Sequence, residues 1–280
     1  MRVGIGLPGT IPGAPSESIP EWARRADEGP FSSVGVLDRI RYDNHDPFTM
    51  LAAAAAVTSR VRLVTMVVIG PLRNTAILAK EAASIDAMSG GRLVLGLSIG
   101  ARHDDYQAAG IDHRRRGERF TRQVVELRSI WEDGVIGPRP ARAGGPELLT
   151  GGSSGEAFAR MARYADGYVH GGGPPRAFAN AGSKALAAWN DQGRPGRPML
   201  AGQGYFGLGE DAVDRGADYL RDYYAFTGPF AEKIAAGNLT TPQAIIEFVL
   251  GYEEAGCDEL ILFPTVADLE QLDRLAEVLS

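Results

Sequence analysis

The stretch from Val61 to Gly110 most constrains the fold, because its apolar residues change from the spacing of a strand to that of a helix and back. Arg62–Ile69 (RLVTMVVI) and Arg92–Ile99 (RLVLGLSI) are short apolar runs, typical of strands buried on both faces of a parallel sheet. Between them, apolar residues recur at helical spacing at Leu78, Ala82 and Ile85. A strand, a helix ending at Gly90–Gly91 and a second strand form one βαβ unit.

The rest of the chain repeats this alternation. Eight short apolar segments are each followed by helical sequence, and they are Val3–Leu7, Ser33–Leu37, Arg62–Ile69, Arg92–Ile99, Glu147–Thr150, Asp166–His170, Met199–Leu208 and Glu259–Phe263. We expect Ser18 to cap the first helix, with Glu21 completing a capping box, and Tyr224–Thr240 to be irregular. Eight such units in 280 residues favour a single-domain (β/α)8 TIM barrel over residues 1–280, rather than an open doubly wound sheet.

Composition argues against several classes of function. The net charge is −6, and no basic tract is interleaved with aromatic residues, so we do not expect nucleic-acid binding. Cys257 is the only cysteine and no spacing resembles a zinc site, so we expect neither a disulfide nor a metal. No apolar run approaches the ~20 residues of a membrane span, and the chain begins directly with a strand. We therefore expect a cytoplasmic protein.

A glycine- and serine-rich loop follows the fifth predicted strand, at the end of the barrel where active sites lie. Gly151, Gly152, Ser153 and Ser154 precede a predicted helix. Glycines let the backbone approach an anion, hydroxyls donate hydrogen bonds, and a helix N-terminus carries partial positive charge. The loop therefore suits a phosphate, although a tight turn with a serine N-cap explains the same residues.

Four side chains near strand ends are candidates for acid–base chemistry, namely His170, His103, Asp38 and Tyr205. His170 ends the sixth strand and His103 follows the fourth. Because an imidazole titrates near neutral pH, either histidine can exchange a proton with a substrate or cofactor. The alternative is that each histidine is only hydrogen-bonded within the fold.

The chain resembles a known family. Asn74–Met88, followed by SGGRLVLGLSIGARHDDYQAAGI, is similar to the signature region of the bacterial luciferase-like monooxygenases. This superfamily uses FMN or the deazaflavin coenzyme F420 in a TIM barrel. The resemblance extends from Val3 to about Phe263, and it is weak in Tyr224–Thr240, where substrate specificity would lie.

The resemblance implies where the cofactor binds. The segment GGSSGEAFARMARYADGY resembles the family's phosphate loop, so Gly151–Ser154 are predicted to hold the cofactor phosphate. Val68, Ile69 and Gly70 are predicted to contact the cofactor ring, because many members carry a non-proline cis peptide bond near this strand end. Gly100 is predicted to lie close to the cofactor as well.

The sequence departs from the family pattern at Asp38-Arg39, where many members have an aspartate followed by a histidine. In some deazaflavin enzymes that histidine is the catalytic acid. Arginine donates protons poorly but can hold an anion, so Arg39 is predicted to contact the substrate. Tyr205, which lies near the end of the seventh strand, is predicted to contact the substrate as well. The departure puts chemistry like that of glucose-6-phosphate dehydrogenase in doubt.

We expect a luciferase-like oxidoreductase or monooxygenase that uses FMN or F420 on a small organic substrate. The resemblance also implies a homodimer, and a flavin or F420 reductase is an expected partner. Two alternatives stay open. One is a barrel that binds flavin without turning it over. The other is an NAD(P)-dependent Rossmann dehydrogenase, suggested by the glycines of Gly4–Gly9, although Pro8 removes a backbone donor there.

Overall fold

Eight parallel strands close into a ring in the computed structural model, which describes residues 1–280. The strands are β1 Arg2–Gly6, β2 Ser33–Val36, β3 in two parts (Arg62–Thr65 and Val68–Ile69), β4 Leu93–Ser98, β5 Glu147–Gly151, β6 Gly167–Val169, β7 Met199–Phe206 and β8 Glu259–Pro264. β1 pairs with β2 and β8, and the ring closes where Leu63 of β3 pairs with Leu93 of β4. The predicted TIM barrel is confirmed, and the closed ring excludes the open sheet of a Rossmann dehydrogenase.

Helices surround the ring. They are α1 Ser18–Glu28, α2 Pro47–Val57, α3 Thr75–Met88, α4 His103–Ala108, α5 Arg116–Asp133, α6 Gly155–Tyr164, α7 Pro175–Asp191, α8 Glu210–Tyr223, α9 Phe230–Ala235, α10 Pro242–Glu254 and α11 Glu270–Leu279. Short 3₁₀ turns lie at Gly70–Leu72, His113–Arg115 and Ala225–Thr227. None of these helices combines the length and the apolar character needed to cross a membrane.

Local sequence explains several helix starts. The carboxylate of Asp46 accepts two first-turn amides of α2, and the side-chain oxygen of Asn74 does the same for α3. The predicted cap at Ser18 is wrong, because Ser18 is already the first residue of α1 and its hydroxyl donates to the carbonyl of Pro15. Glu21 does not complete a capping box and instead pairs with two arginines of its own helix.

The segment Tyr224–Thr240 is not irregular throughout, because it contains a 3₁₀ turn and the helix α9. The only residues that α9 buries are Ala231 and Ala235. Both side chains are too small to produce an apolar period, while the larger Phe230 stays exposed. The spacing of apolar residues therefore does not predict this helix.

Apolar side chains form one layer inside the ring and another between the strands and the helices. The inner layer includes Val64, Val94, Leu149, Val169 and Ile261. At the amino ends of the strands, Arg62 pairs with Glu147 at 2.6 Å and with Glu259, whose side chain is buried. Ion pairs thus occupy the amino end of the barrel. Active sites of such barrels lie at the carboxyl end of the strands, which we call the mouth.

Candidate functional site

The mouth has two halves of different character. The glycine-lined half is formed by the ends of β3 to β6 and comprises Val67, Ser98, Gly100, Gly151–Ser154, His170 and Gly171. The tyrosine-filled half is formed by β7, β8 and the end of α8, and comprises Tyr205, Tyr219, Tyr223, Tyr224 and Phe263. Of the predicted site residues, Gly100, Gly151–Ser154 and His170 lie on the glycine-lined half, and Tyr205 lies on the tyrosine-filled half.

The predicted phosphate loop has a backbone that requires glycine. Gly152 has a φ of 137°, and a Cβ added there would lie 2.6 Å from the Cβ of Ala157. The hydroxyl of Tyr168 donates to the carbonyl of Gly152 at 2.9 Å and holds the loop in place. Ser154 caps α6 by accepting the amide of Ala157 at 3.2 Å, whereas the side chain of Ser153 is exposed.

A cavity of about 380 Å³ adjoins this loop, between α6, β6 and α7. Its lining consists of Gly152, Ser153, Phe158, Tyr168, His170, Gly171, Ala177, Asn180, Ala181 and Lys184. No carboxylate belongs to this set, and it includes one cation, Lys184. An anion in the cavity would therefore meet hydrogen-bond donors and a positive charge without a nearby negative side chain.

His170 is the only predicted acid–base residue that lines this cavity. Its ring packs edge-on against Phe178, and its Nδ1 is buried without a hydrogen-bond partner. Burial lowers the pKa of His170, so the ring is neutral at pH 7. A buried polar atom without a partner costs about 1–3 kcal/mol, so a ligand that bonds to Nδ1 would recover stability.

The third strand approaches the mouth differently from the prediction. The peptide bond between Met66 and Val67 is cis, which agrees with the family resemblance. The side chain of Val68 is fully buried in the outer apolar layer, and a Cβ on Gly70 would meet Gln123 of α5. The side chain of Val68 and the Cα of Gly70 therefore face the surrounding helices rather than the mouth. The partly exposed Val67, which sequence analysis missed, lies at the edge of the mouth.

Ile69 and Gly100, which are both predicted to lie near the cofactor, are neighbours in the structure. A Cβ added to Gly100, which has a φ of 64°, would lie 2.8 Å from Cγ2 of Ile69. The packing of these two residues fixes how closely the loop after β4 approaches the end of β3. Their contact is with each other, so any contact with a cofactor would use the remaining exposed backbone of Gly100.

Asp38 holds the end of β3 rather than facing an open space. Its carboxylate accepts the amide of Ile69 at 2.9 Å and Nη2 of Arg73 at 3.0 Å, and its side chain is 1% exposed. Burial raises the pKa of Asp38, while Arg73 and the Ile69 amide favour its charged form. Both oxygens are engaged, which suits a positioning role better than the predicted catalytic one.

The tyrosine-filled half is closed by hydroxyl groups that bond within the protein. Tyr205 and Tyr224 join their hydroxyls at 2.7 Å, and Tyr219 bonds to the hydroxyl of Thr10 at 2.8 Å. Burial raises the pKa values of Tyr205 and Tyr219 well above the usual value of a phenol, so both stay neutral. The ring of Phe263 lies below Tyr205, with ring centres 6.1 Å apart.

Arg39 is not a free cation, although it lies near the mouth as predicted. Its guanidinium donates to Asp104 at 3.0 Å and to Asp105 at 3.2 Å, and the side chain is buried. The same group stacks over Tyr42, 4.9 Å from the ring centre. Two carboxylates already neutralise the charge of Arg39. The residue is therefore poorly placed to bind a substrate anion, in contrast to the prediction.

Arg102 is a mouth residue that sequence analysis missed. Its guanidinium lies 4.5 Å from the ring centre of Tyr223 and 4.3 Å from that of Phe226, and it donates to the Tyr223 carbonyl. The aromatic partners come from around the end of α8, more than 100 residues along the chain. Only the tertiary structure brings them together.

His103 lies apart from the cavity that His170 lines. It is exposed at the start of α4, and its ring stacks on His113 with ring centres 3.6 Å apart. Nδ1 of His113 accepts a hydrogen bond from Arg116 at 3.0 Å. The structure therefore brings His103 together with other basic side chains and not with the phosphate loop.

The glycine-lined half fits a phosphorylated ring cofactor in three respects. The cavity beside Gly152 and Ser153 has no carboxylate, and it is lined by His170, whose buried Nδ1 lacks a partner. A Cβ added to Gly171 would meet no atom within 4 Å, so open space lies in front of that glycine. The tyrosine-filled half offers no comparable space because its tyrosines pack against one another.

Solved structures share this architecture. Monooxygenase RslO1 from Streptomyces bottropensis superposes with a TM-score of 0.78 at 22% identity, covering 99% of this chain and 97% of that one. An F420-dependent secondary alcohol dehydrogenase, solved with an F420-acetone adduct, gives 0.79 at 19% identity, covering 99% and 98%. Riboflavin lyase RcaE, solved with modified FMN and riboflavin, gives 0.76 at 16%, covering 100% and 90%. At these identities the likeness shows a common fold.

Sequence comparisons identify the family. An uncharacterized protein of Mycobacterium tuberculosis is 29% identical over 187 residues, covering 55% of this chain and 65% of that protein. Pyrimidine monooxygenase RutA of Escherichia coli is 32% identical over 173 residues, covering 54% and 47%. The match thus spans about half to two thirds of these relatives. A family model described as luciferase-like monooxygenase matches residues 1–255, and the chain therefore belongs to the luciferase-like monooxygenase family.

Proposed function

We propose that this protein is an oxidoreductase that binds FMN or F420 on the glycine-lined half of the mouth and acts on a small organic molecule. The observation that carries the proposal is the cavity beside Gly152 and Ser153, whose lining has no carboxylate and includes Lys184 and His170, a histidine with a buried Nδ1 that lacks a partner. The named neighbours that use F420 or FMN support the same class of cofactor. A cytoplasmic location, a homodimer and a partner reductase stay predictions.

Bound FMN or F420 would supply the redox chemistry, by reaction with oxygen or by hydride transfer, and the chain would position it. Gly152 would allow the backbone to approach the phosphate, and the exposed hydroxyl of Ser153 would donate to it. Asp38 would hold the end of β3 through the amide of Ile69. Neutral His170 would hydrogen-bond to the ligand through Nδ1.

The tyrosine-filled half would exclude water from the reacting face. Its hydroxyls bond to one another and to Thr10, so the wall presents mainly aromatic carbon. The same packing favours one alternative, a barrel that binds cofactor without turning over a substrate, because it leaves little room on that side. Turnover with a reductase, oxygen and varied substrates would distinguish the two functions.

The phosphate assignment is tested by titrating the purified protein with FMN and with F420 and following fluorescence. Ser153→Asp should weaken the binding of whichever cofactor binds by at least about 30-fold, or about 2 kcal/mol, because a second negative charge would face the phosphate. The fold should survive, since a helix N-terminus tolerates a carboxylate. Gly152→Asp is a poorer test, because its φ of 137° would strain any side chain.

Ser16→Asp is the matched control, because it adds the same charge to an exposed serine in the loop after β1. This variant should keep the affinity of the unchanged protein. Equal affinity of the Ser153→Asp variant would contradict the phosphate assignment. Failure of the unchanged protein to bind either cofactor would contradict the proposed function itself.

A further inference from the structure

The cavity beside the phosphate loop extends farther than a single phosphate requires. We propose that its far end binds a second anionic group, a carboxylate-bearing extension of the cofactor beyond its phosphate, and that the site therefore selects F420 over FMN. This inference rests on the proposed function, because it assumes that the cofactor phosphate lies at Gly152 and Ser153. It adds a subsite, Asn180 and Lys184 of α7, to that site.

The length of the cavity follows from the helix that forms one wall. Ala177, Asn180, Ala181 and Lys184 all line it, and their spacing places them on one face of α7. At 1.5 Å per residue, the wall from Ala177 to Lys184 is about 10 Å long. FMN ends at its phosphate, so it would leave this wall uncovered if its phosphate lay at the loop.

The chemistry of the far end suits a carboxylate chain. Lys184 supplies a positive charge, and the side-chain amide of Asn180 can donate to a carboxylate or bond to an amide group. Ala177 and Ala181 have small side chains, so they leave room along the helix between the loop and the lysine. F420 continues beyond its phosphate through a lactyl group into glutamate residues, which supply amides and carboxylates in this order.

Other large surface cavities of the protein lack this character. The cavity between the loops after β7 and β8 includes Asp211, Asp268 and Glu270. The cavity beside Arg128 and Arg163 includes Glu132 and Asp166, and those near the amino ends of the strands include Asp258. A carboxylate ligand would meet like charges in all of them. Of these five cavities, only the one beside the phosphate loop has a lining with a cation and no carboxylate.

The test compares three ligands by fluorescence titration of the purified full chain. They are F420 with its glutamate tail, the same deazaflavin phospholactate without glutamates, and FMN. We expect the tailed form to bind about fivefold more tightly than the untailed form at low salt, because one ion pair at an exposed lysine contributes little more. Added salt should reduce this preference.

Lys184→Glu should abolish or reverse the preference for the tailed form while changing FMN affinity less than twofold. Lys233→Glu is the control, because it makes the same charge change at an exposed lysine of α9, and it should keep the preference.

Equal affinity of the unchanged protein for tailed and untailed forms would overturn the inference and leave the proposed function intact. An equal loss for FMN and F420 in Lys184→Glu would assign the lysine to the phosphate and overturn it too. If none of the three ligands binds the unchanged protein, the proposed function fails as well.

Discussion

The two halves of the mouth lie on one ring of strands but use their residues in opposite ways. On the tyrosine-filled half, hydroxyls such as those of Tyr205 and Tyr224 bond to each other, and aromatic rings occupy the space. On the glycine-lined half, Gly152 and Gly171 leave the backbone accessible, and Nδ1 of His170 has no partner. The tyrosine hydroxyls of one half are bonded within the protein, whereas the other half keeps exposed glycine backbone beside an unbonded imidazole nitrogen.

This difference separates residues that stabilise the fold from residues available for binding. A buried polar atom without a partner costs free energy and is retained where a ligand completes its bonding. Packed aromatic side chains, in contrast, contribute stability directly through buried area. We therefore expect substitutions on the tyrosine-filled half to change the free energy of unfolding and those on the glycine-lined half to change ligand affinity.

The largest expected effect on stability is at Phe263, which is 2% exposed below Tyr205. Phe263→Ala should lower the free energy of unfolding by about 3–5 kcal/mol, because it leaves a cavity inside the ring. Urea unfolding followed by circular dichroism measures this change. Phe230→Ala is the control, since that ring is 56% exposed, and it should change stability by about 0.5 kcal/mol or less. A loss of under about 1 kcal/mol at Phe263 would mean that this half is loosely packed, and the comparison would fail.

An intermediate effect is expected at Asp38, which connects the end of β2 to the end of β3. Asp38→Asn should lower the free energy of unfolding by about 2 kcal/mol, because the amide nitrogen of asparagine would face Arg73, whose guanidinium would lose a buried hydrogen-bond acceptor. Asp218→Asn, at a 77% exposed ion pair with Arg221, should cost about 0.5 kcal/mol or less. A catalytic Asp38 would behave differently, with turnover lost and the unfolding curve unchanged.

The smallest effect at neutral pH is expected from His170. Burial lowers its pKa in the folded protein, so the unfolded chain, with a pKa near 6.5, takes up the proton first as the pH falls. His170 should therefore contribute a decrease in the free energy of unfolding as the pH falls from 7.5 to 5.5, and this contribution should be absent from the slope measured for His170→Gln. An unchanged slope in the His170 variant would show that Nδ1 is not shielded from water.

Several elements of the fold could be predicted because their cause is local. The apolar runs at Arg62–Ile69 and Arg92–Ile99 predict buried strands, and both are present, although β3 is interrupted after Thr65. Gly152 could be recognised as a loop glycine from its place between a strand and a helix, and its φ of 137° agrees. The sequence could not show that Ser18 is not an N-cap, because this depends on the hydrogen bond that its hydroxyl donates to the carbonyl of Pro15.

The sequence indicates candidate site residues most directly where they are consecutive, as in Gly151–Ser154. The roles of Asp38 and Arg39 depend on Arg73, Asp104 and Asp105, which no local pattern associates with them. A residue name such as arginine indicates a charge, but only its neighbours decide whether that charge is free. For this reason Arg39 was predicted to bind substrate and is in fact paired with two carboxylates.

The amino-acid sequence by itself determined the repeating strand–helix pattern, and hence the barrel and the position of a glycine loop at its carboxyl end, because periodicity and backbone requirements act between near neighbours. Only the tertiary structure decided which half of the mouth is filled and which is open. Tyr205 of β7 meets Tyr224 after α8, and Tyr219 of α8 meets Thr10 in the loop after β1, because β8 pairs with both β7 and β1 and so brings these distant segments to one side of the mouth. Ser153 and Lys184 likewise line one cavity because α7 packs against α6, and this packing depends on contacts between separate segments of the chain.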